Sequence, residues 1–141
     1  MTGDSLPHAA RRALECVCSG SEPDTAADYY SPDFIDHVND FELRGLPGVQ
    51  RAVELYTTVL SDLAITVEDQ LVDGHRVTSR FVVTGTNRGR RVRFNGITIS
   101  RFENGRIVED WSVTDTLGML RQLGAWRSVL VGLQQLRTLY G

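Results

Sequence analysis

From Ala64 to Asp115 the chain is almost entirely strand-like segments broken by tight-turn signals, and this run restricts the fold more than any other feature. The segments "AITVEDQLVDG", "HRVTSRFVVTGTN", "RRVRFNGITISRFENG" and "RIVEDWSVTD" are rich in β-branched and aromatic residues, which suit a pleated, half-buried surface. Asp73-Gly74 and Asn104-Gly105 tolerate the positive φ of a two-residue hairpin, and "NRG" at Asn87–Gly89 supplies a third turn. Strands joined this tightly must be antiparallel neighbours.

Three helical patterns precede the meander. Between Ser5 and Val17, Ala9, Ala13, Leu14 and Val17 recur at helical spacing, with Pro7 in the first turn where a missing N–H costs nothing. A second, short helix is expected through "AADYY", capped by Asp24 or Thr25 and stopped before Pro32. A third starts near Pro47 and carries Val49, Val53, Tyr56, Val59 and Leu60. Between them "DFIDHVND" alternates Phe34, Asp36 and Val38 against Ile35, His37 and Asn39, the period of a strand. After the meander, "TLGMLRQLG" restarts a helix. "WRSVLVGLQQLRTLY" continues it with Val129, Leu133, Leu136 and Tyr140 on one face. Helices segregated from a meander read as α+β, the sheet curling round the helices.

At 141 residues the chain fits one domain spanning 1–141 and buries a core without disulfide or metal. A net charge of -3 gives no footprint for nucleic acid, so the basic run "NRGRRVRF" reads as a hairpin tip and its solvated strand ends, with an anion or phosphate site as the alternative. Cys16 and Cys18 are two apart on a helix and point in different directions, so they read as free thiols; with three scattered histidines they make no metal set. No metal or organic cofactor is expected. The start "MTGDSLPHAARR" lacks an apolar leader core and no window is long and apolar enough to cross a membrane, so the expected location is cytoplasmic.

The order of elements, the "FIDHVN" strand, the strand ending "VTGTN" and the wording "SRFENGRIVEDWSVTDTLGMLRQLG" together resemble the SnoaL-like polyketide cyclase family of the nuclear transport factor 2-like superfamily. The likeness covers about residues 8–125, leaving a C-terminal helical extension over about 126–141. It implies a cone-shaped α+β barrel, with N-terminal helices packed in a strongly curved sheet around an apolar pocket. It also implies that the aspartate base and carbonyl-polarising histidine of the aromatic polyketide cyclases fall at Ser112 and Thr98. Neither residue can do that job: a serine hydroxyl is no base at neutral pH, and threonine offers only a neutral hydroxyl.

If Thr98 and Ser112 mark the pocket face, strand parity adds Phe94, Gly96 and Ser100 on one strand and Val108, Asp110 and Thr114 on the next. Ile97, Ile99, Ile107, Trp111 and Val113 then fall on the outer face, where the resemblance implies a homodimer joined sheet to sheet. Asp110 is the candidate base, because a carboxylate in an apolar pocket has its pKa raised toward neutrality; pairing with Arg80 or Arg93, or a bulge that shifts the parity, is the structural alternative. His37, with Asp36 or Asp40 nearby, is a second acid–base candidate, and Asn39 one that orients a carbonyl. Tyr30 and Tyr56 are expected on helices as pocket walls with a hydroxyl handle. Asp115 is placed to cap the following helix.

These residues favour a cofactor-independent cyclase or isomerase that moves a proton next to a carbonyl of a small apolar, polyketide- or steroid-like molecule. Two other readings stay open: a cofactor-free hydroxylase or epoxide-opening enzyme, with Arg80 beside Asp110, and a non-catalytic binding or assembly protein.

Overall fold

The computed structural model describes residues 5–141; the first four residues of the N-terminal stretch read above lie outside the described residues. The chain runs α1 (Ser5–Arg12), continued by a wider π-helical turn (Ala13–Cys18), a 3-10 turn (Pro23–Thr25), α2 (Ala26–Tyr29), β1 (Tyr30–Val38) and β2 (Phe41–Arg44). It goes on through α3 (Gly45–Thr57), β3 (Ser61–Asp73), β4 (Arg76–Asn87), β5 (Arg90–Glu103), β6 (Arg106–Thr114) and α4 (Thr116–Tyr140).

The six strands form one mixed sheet in the order β2-β1-β6-β5-β4-β3. The three expected hairpins form, and each has a two-residue loop because Asp73 pairs with Arg76, Asn87 with Arg90 and Glu103 with Arg106. In the loops Arg88-Gly89 and Asn104-Gly105 both residues have positive φ, the geometry that matches the twist of the flanking strands. At the first hairpin the loop is Gly74-His75, one residue later than the Asp-Gly dipeptide suggests. β1 joins the meander by pairing in parallel with β6, and it carries the four-residue strand β2 that the sequence pattern did not reveal. The sheet does not close into a barrel: β2 and β3 remain as its edges.

Two apolar clusters fill one side of the sheet. Leu6, Ala9, Ala10, Ala13 and Val17 pack on Tyr30, Phe34, Val49, Val77, Phe102 and Ile107. Leu14, Val59, Leu60, Val67, Phe81, Val83, Val92 and Phe94 pack with Met119, Leu123 and Val131 of α4. Val59 and Leu60 are buried as expected, although α3 ends at Thr57 ahead of them. Asp115 caps α4, its Oδ1 accepting from the Gly118 N–H at 2.9 Å. α4 is broken at Gly124, whose φ of 80° and ψ of 170° separate a first segment from a second. The two cysteines are free.

One assignment to the outer face is corrected. Ile107 is 1% exposed and sits in the core, not outside. The cause is a bulge: Arg101 pairs with Glu109 while Phe102 pairs with Ile107, so β6 carries Val108 as an extra residue and the alternation restarts on the other side of it. Ile97, Ile99, Trp111 and Val113 keep the outer face, with Ile97 opposite Val113 and Ile99 opposite Trp111. Among the described residues, no helix is long and apolar enough to cross a membrane.

Candidate active site

β6 is flanked by β1 on one side and β5 on the other, and the three strands bring their polar inner residues to one level. Asp36 lies directly beside Asp110 in the parallel β1–β6 pair, and Ser100 lies directly opposite Asp110 in the antiparallel β5–β6 pair. One step along β6, on the same face, Ser112 is opposite Thr98 and the two hydroxyls share a hydrogen bond of 2.8 Å. Leu14 and Cys18 of the π-turn, Ala52 and Tyr56 of α3, and Leu63, Ile65, Phe81 and Val83 of β3 and β4 complete the walls. The cavity encloses about 70 Å³ of free space, room for a few water molecules.

Asp36 and Asp110 are the only acidic groups buried among the described residues, each 6% exposed. One carboxylate oxygen of each, Oδ1, is buried with no hydrogen-bond partner. Desolvation first, and then the neighbouring carboxylate of Asp110, push Asp36 up to about 8. Desolvation likewise lifts Asp110, to about 7, and the Ser100 hydroxyl opposes it weakly by favouring the charged form. Two desolvated carboxyls on neighbouring strands cannot both ionise easily, so near neutral pH at least one of them keeps its proton.

The hydroxyls around the pair are also shielded. Tyr56 shares a hydrogen bond of 2.9 Å with Thr114, and burial raises its phenol above the ordinary value. Its ring packs against that of Phe94 at 5.7 Å between centroids, so Phe94 supports the wall and is not among the residues that line the cavity. Tyr30 is the first residue of β1, not part of α2; it is fully buried, its hydroxyl 3.4 Å from the Cys18 thiol, with its phenol raised well above the ordinary value by burial. Burial likewise pushes the Cys18 thiol up to about 12, so Cys18 is a neutral wall and no nucleophile.

Several sequence candidates fall elsewhere. His37 points to the outer face because it neighbours Asp36 in an alternating strand: its Nε2 lies 2.7 Å from Glu109 Oε2 and its ring stacks on Trp111 at 5.5 Å. Its bond to His37 is the main cause holding the Glu109 carboxyl below the ordinary value. Asn39, just past β1 at φ 51°, is exposed; its side chain accepts from the Thr114 N–H at 3.2 Å and braces the end of β6. Arg80 bonds Glu68 at 3.1 Å and Arg93 pairs with the same carboxylate at 3.7 Å, so neither reaches Asp110.

Asp36 is the site residue that sequence reasoning passed over, having weighed it only as a helper of His37. The signal was present: Phe34 and Val38, which share its face, are the apolar residues expected to point inward. A larger groove of about 680 Å³ lies between the π-turn, α2 and α3, but its only ionisable lining groups are Asp24 and Glu54, which do not form a pair. Among the described residues, no three His, Cys, Asp or Glu side chains gather as a metal site.

The comparisons with known proteins agree with this fold. The structure of TsrD from Streptomyces laurentii superposes with a TM-score of 0.77 at 25% identity, covering 89% of this chain and 98% of that one. IdmH of Streptomyces antibioticus, provisionally assigned as a polyketide cyclase, superposes with a TM-score of 0.73 at 25% identity over 84% and 99% of the two chains. AclR of Streptomyces galilaeus, provisionally assigned as a hydroxylase, shares the fold at a TM-score of 0.71 and 23% identity, over 84% and 86%. No curated protein matches the sequence significantly. The model of the SnoaL-like polyketide cyclases matches residues 8–123, most of the chain and every residue that lines the cavity, so the protein belongs to that family.

Proposed function

We propose that the protein is a cofactor-independent enzyme that moves a proton next to a carbonyl of an apolar natural-product substrate, with the Asp36–Asp110 pair as its acid–base machinery. The observation that carries this reading is the burial of two carboxyls side by side, each with an oxygen left unpaired, in a cavity whose other lining groups are apolar side chains, neutral hydroxyls and the Cys18 thiol. A pair sharing one proton holds a base and a hydrogen-bond donor at once. The ionised member takes the proton from carbon, and the protonated member donates to the oxygen on which negative charge develops. Removal of that proton is the step that a cyclisation and an isomerisation have in common.

The hydroxyl pair Thr98–Ser112 and the Tyr56 phenol line the same space and would orient the carbonyl without titrating. The free space of about 70 Å³ is far below the ~300–1,000 Å³ of pockets that enclose whole ligands, so a substrate of polyketide size enters only as the walls from α3 and β3 give way. A protein that only binds an apolar ligand gains nothing from two desolvated carboxyls, which favours chemistry over binding alone. Epoxide opening with Arg80 loses its support, because that guanidinium is held by Glu68.

The same reading assigns the outer sheet face to a homodimer contact. Ile97 and Val113 stay 45% and 61% exposed there, beside Ile99 and Trp111. The functional test is exchange of an activated C–H for deuterium in a panel of β-dicarbonyl compounds. Exchange lost in both Asp36→Asn and Asp110→Asn supports the pair; exchange retained by either variant at the rate of the unaltered protein overturns it.

A further inference from the structure

The helix after Gly124 is built the wrong way round for a surface helix. Five of its large apolar residues, Trp126, Val129, Leu133, Leu136 and Tyr140, are 73%, 57%, 59%, 51% and 73% exposed, while Leu130 and Leu139 are half-buried. Its contacts with the body are made by Gln135, which donates to the Leu55 carbonyl at 3.1 Å, by the fully buried Val131 and by the Tyr140 ring, which meets Phe41 of β2 edge-on at 6.1 Å, while Ser128 donates back to the carbonyls of Leu120 and Gly124 within α4. At about 100° per residue the five exposed residues fall within a stripe about 80° wide, and Val131 points about 180° from its centre. One side of the helix is committed to the body of the protein, and the apolar side, apart from the contact of Tyr140 with Phe41, is left open.

The spacing of the stripe says what. The positions 126, 129, 133, 136 and 140 alternate steps of three and four, the seam of a two-stranded coiled coil, and the stripe is narrower than the face of a helix that beds on a core. The stripe also fits a copy of itself. In an antiparallel pair centred on Leu133, Trp126 meets the Tyr140 of the other copy and Val129 meets Leu136, while the exposed Arg137 side chains stay about 12 Å apart along the axis. A parallel pair would bring the arginines together. The exposed area of the five residues is roughly 700 Å² per copy, close to the ~800 Å² per partner of a stable interface. The family match ends at residue 123, immediately before the break at Gly124, so the seam lies on a segment outside the shared domain.

We propose that this segment is a self-association element, in which two copies of the chain join through an antiparallel contact of their Trp126–Tyr140 seams. It is separate from the sheet face that carries Ile97 and Val113. The test is the mass of the full chain in solution by light scattering across a concentration series, for the unaltered protein, Leu133→Glu and Val113→Arg. Leu133→Glu is expected to halve the mass at every concentration at which the unaltered protein is associated, with an unchanged circular dichroism spectrum. Val113→Arg leaves the seam contact in place, so a loss of association confined to Val113→Arg overturns the proposal. Leu133→Cys is expected to form an intermolecular disulfide on mild oxidation in higher yield than the native thiols do. A monomeric unaltered protein throughout the series overturns the proposal, as does a Leu133→Glu variant of unchanged mass. Binding of the monomeric protein to anionic phospholipid vesicles, lost in Leu133→Glu, would instead assign the stripe to a lipid surface.

Discussion

Replacing Asp110 by Asn should make the protein more stable at neutral pH while removing its activity. In the folded protein the carboxyl ionises at about 7, against an ordinary value of 3.8. Between those values the folded state keeps a proton that the unfolded state has released, so stability falls as pH rises, by about 1.4 kcal/mol per pH unit for each such group. The loss starts near the unfolded value and stops once pH passes the folded one. Asp36, raised to about 8, behaves in the same way, so the unaltered protein loses up to ~2.7 kcal/mol per unit between about pH 5 and 7. With Asn at position 110 one of the two slopes disappears. Over the interval of about three units the variant gains on the order of 4 kcal/mol relative to the unaltered protein by pH 7, before any loss from the amide's own burial. Urea unfolding at a series of pH values, with the two proteins compared at each, reads this difference together with the part of the Asp36 shift that the Asp110 charge causes, because groups remote from the pair cancel. Deuterium exchange into the substrate should meanwhile fall by about 10²–10⁴, the usual contribution of a placed base. Parallel stability curves would show that Asp110 is ionised and well solvated, and the acid–base reading would fail with it.

His37→Ala should leave exchange activity intact and cost about 1–2 kcal/mol of stability at neutral pH through the lost Glu109 bond and Trp111 stacking, read by the same unfolding assay; a large loss of turnover would return His37 to the site. Ser112→Ala leaves the Thr98 hydroxyl without its 2.8 Å partner and should cost about 1–3 kcal/mol, whereas the double change to Thr98→Val and Ser112→Ala should recover part of that cost in a double-mutant cycle. Gly96→Ala places a methyl group against the buried Phe81 ring, and a cost of about 1–3 kcal/mol should appear as a lowered Tm; an unchanged Tm would mean that the ring moves freely aside.

How much of this was readable in advance depends on how local each determinant is. The two hairpins at Arg88-Gly89 and Asn104-Gly105 rest on two residues each, and the helix cap at Asp115 on one side chain, so the sequence carries them openly. Asp110 was placed inside by counting from Thr98 and Ser112, and the count held because no bulge falls between residues 110 and 112. It failed at Ile107, the residue next to the extra Val108. Asp36 was missed for a different reason. Its role exists only because β1, more than seventy residues earlier in the chain, pairs in parallel with β6 and sets the two aspartates at one level, and no local pattern encodes that pairing. His37 drew attention by its chemistry, while the strand's own alternation turned it outward.

The bulge at Val108 gives β6 a spare position. Because Ile107 already faces inward and Glu109 outward on its two sides, removing Val108 would leave a strand whose inward and outward residues still alternate correctly. On the β5 side every other side chain would keep its neighbours. The strand is thus tolerant of a one-residue change in length at this point and nowhere nearby, since the same deletion at Trp111 would turn Asp110 out of the cavity or Ser112 away from Thr98. Variation in chain length among related sequences at this strand is therefore expected to gather at position 108, where it alters the local coil of the sheet and leaves the chemistry untouched.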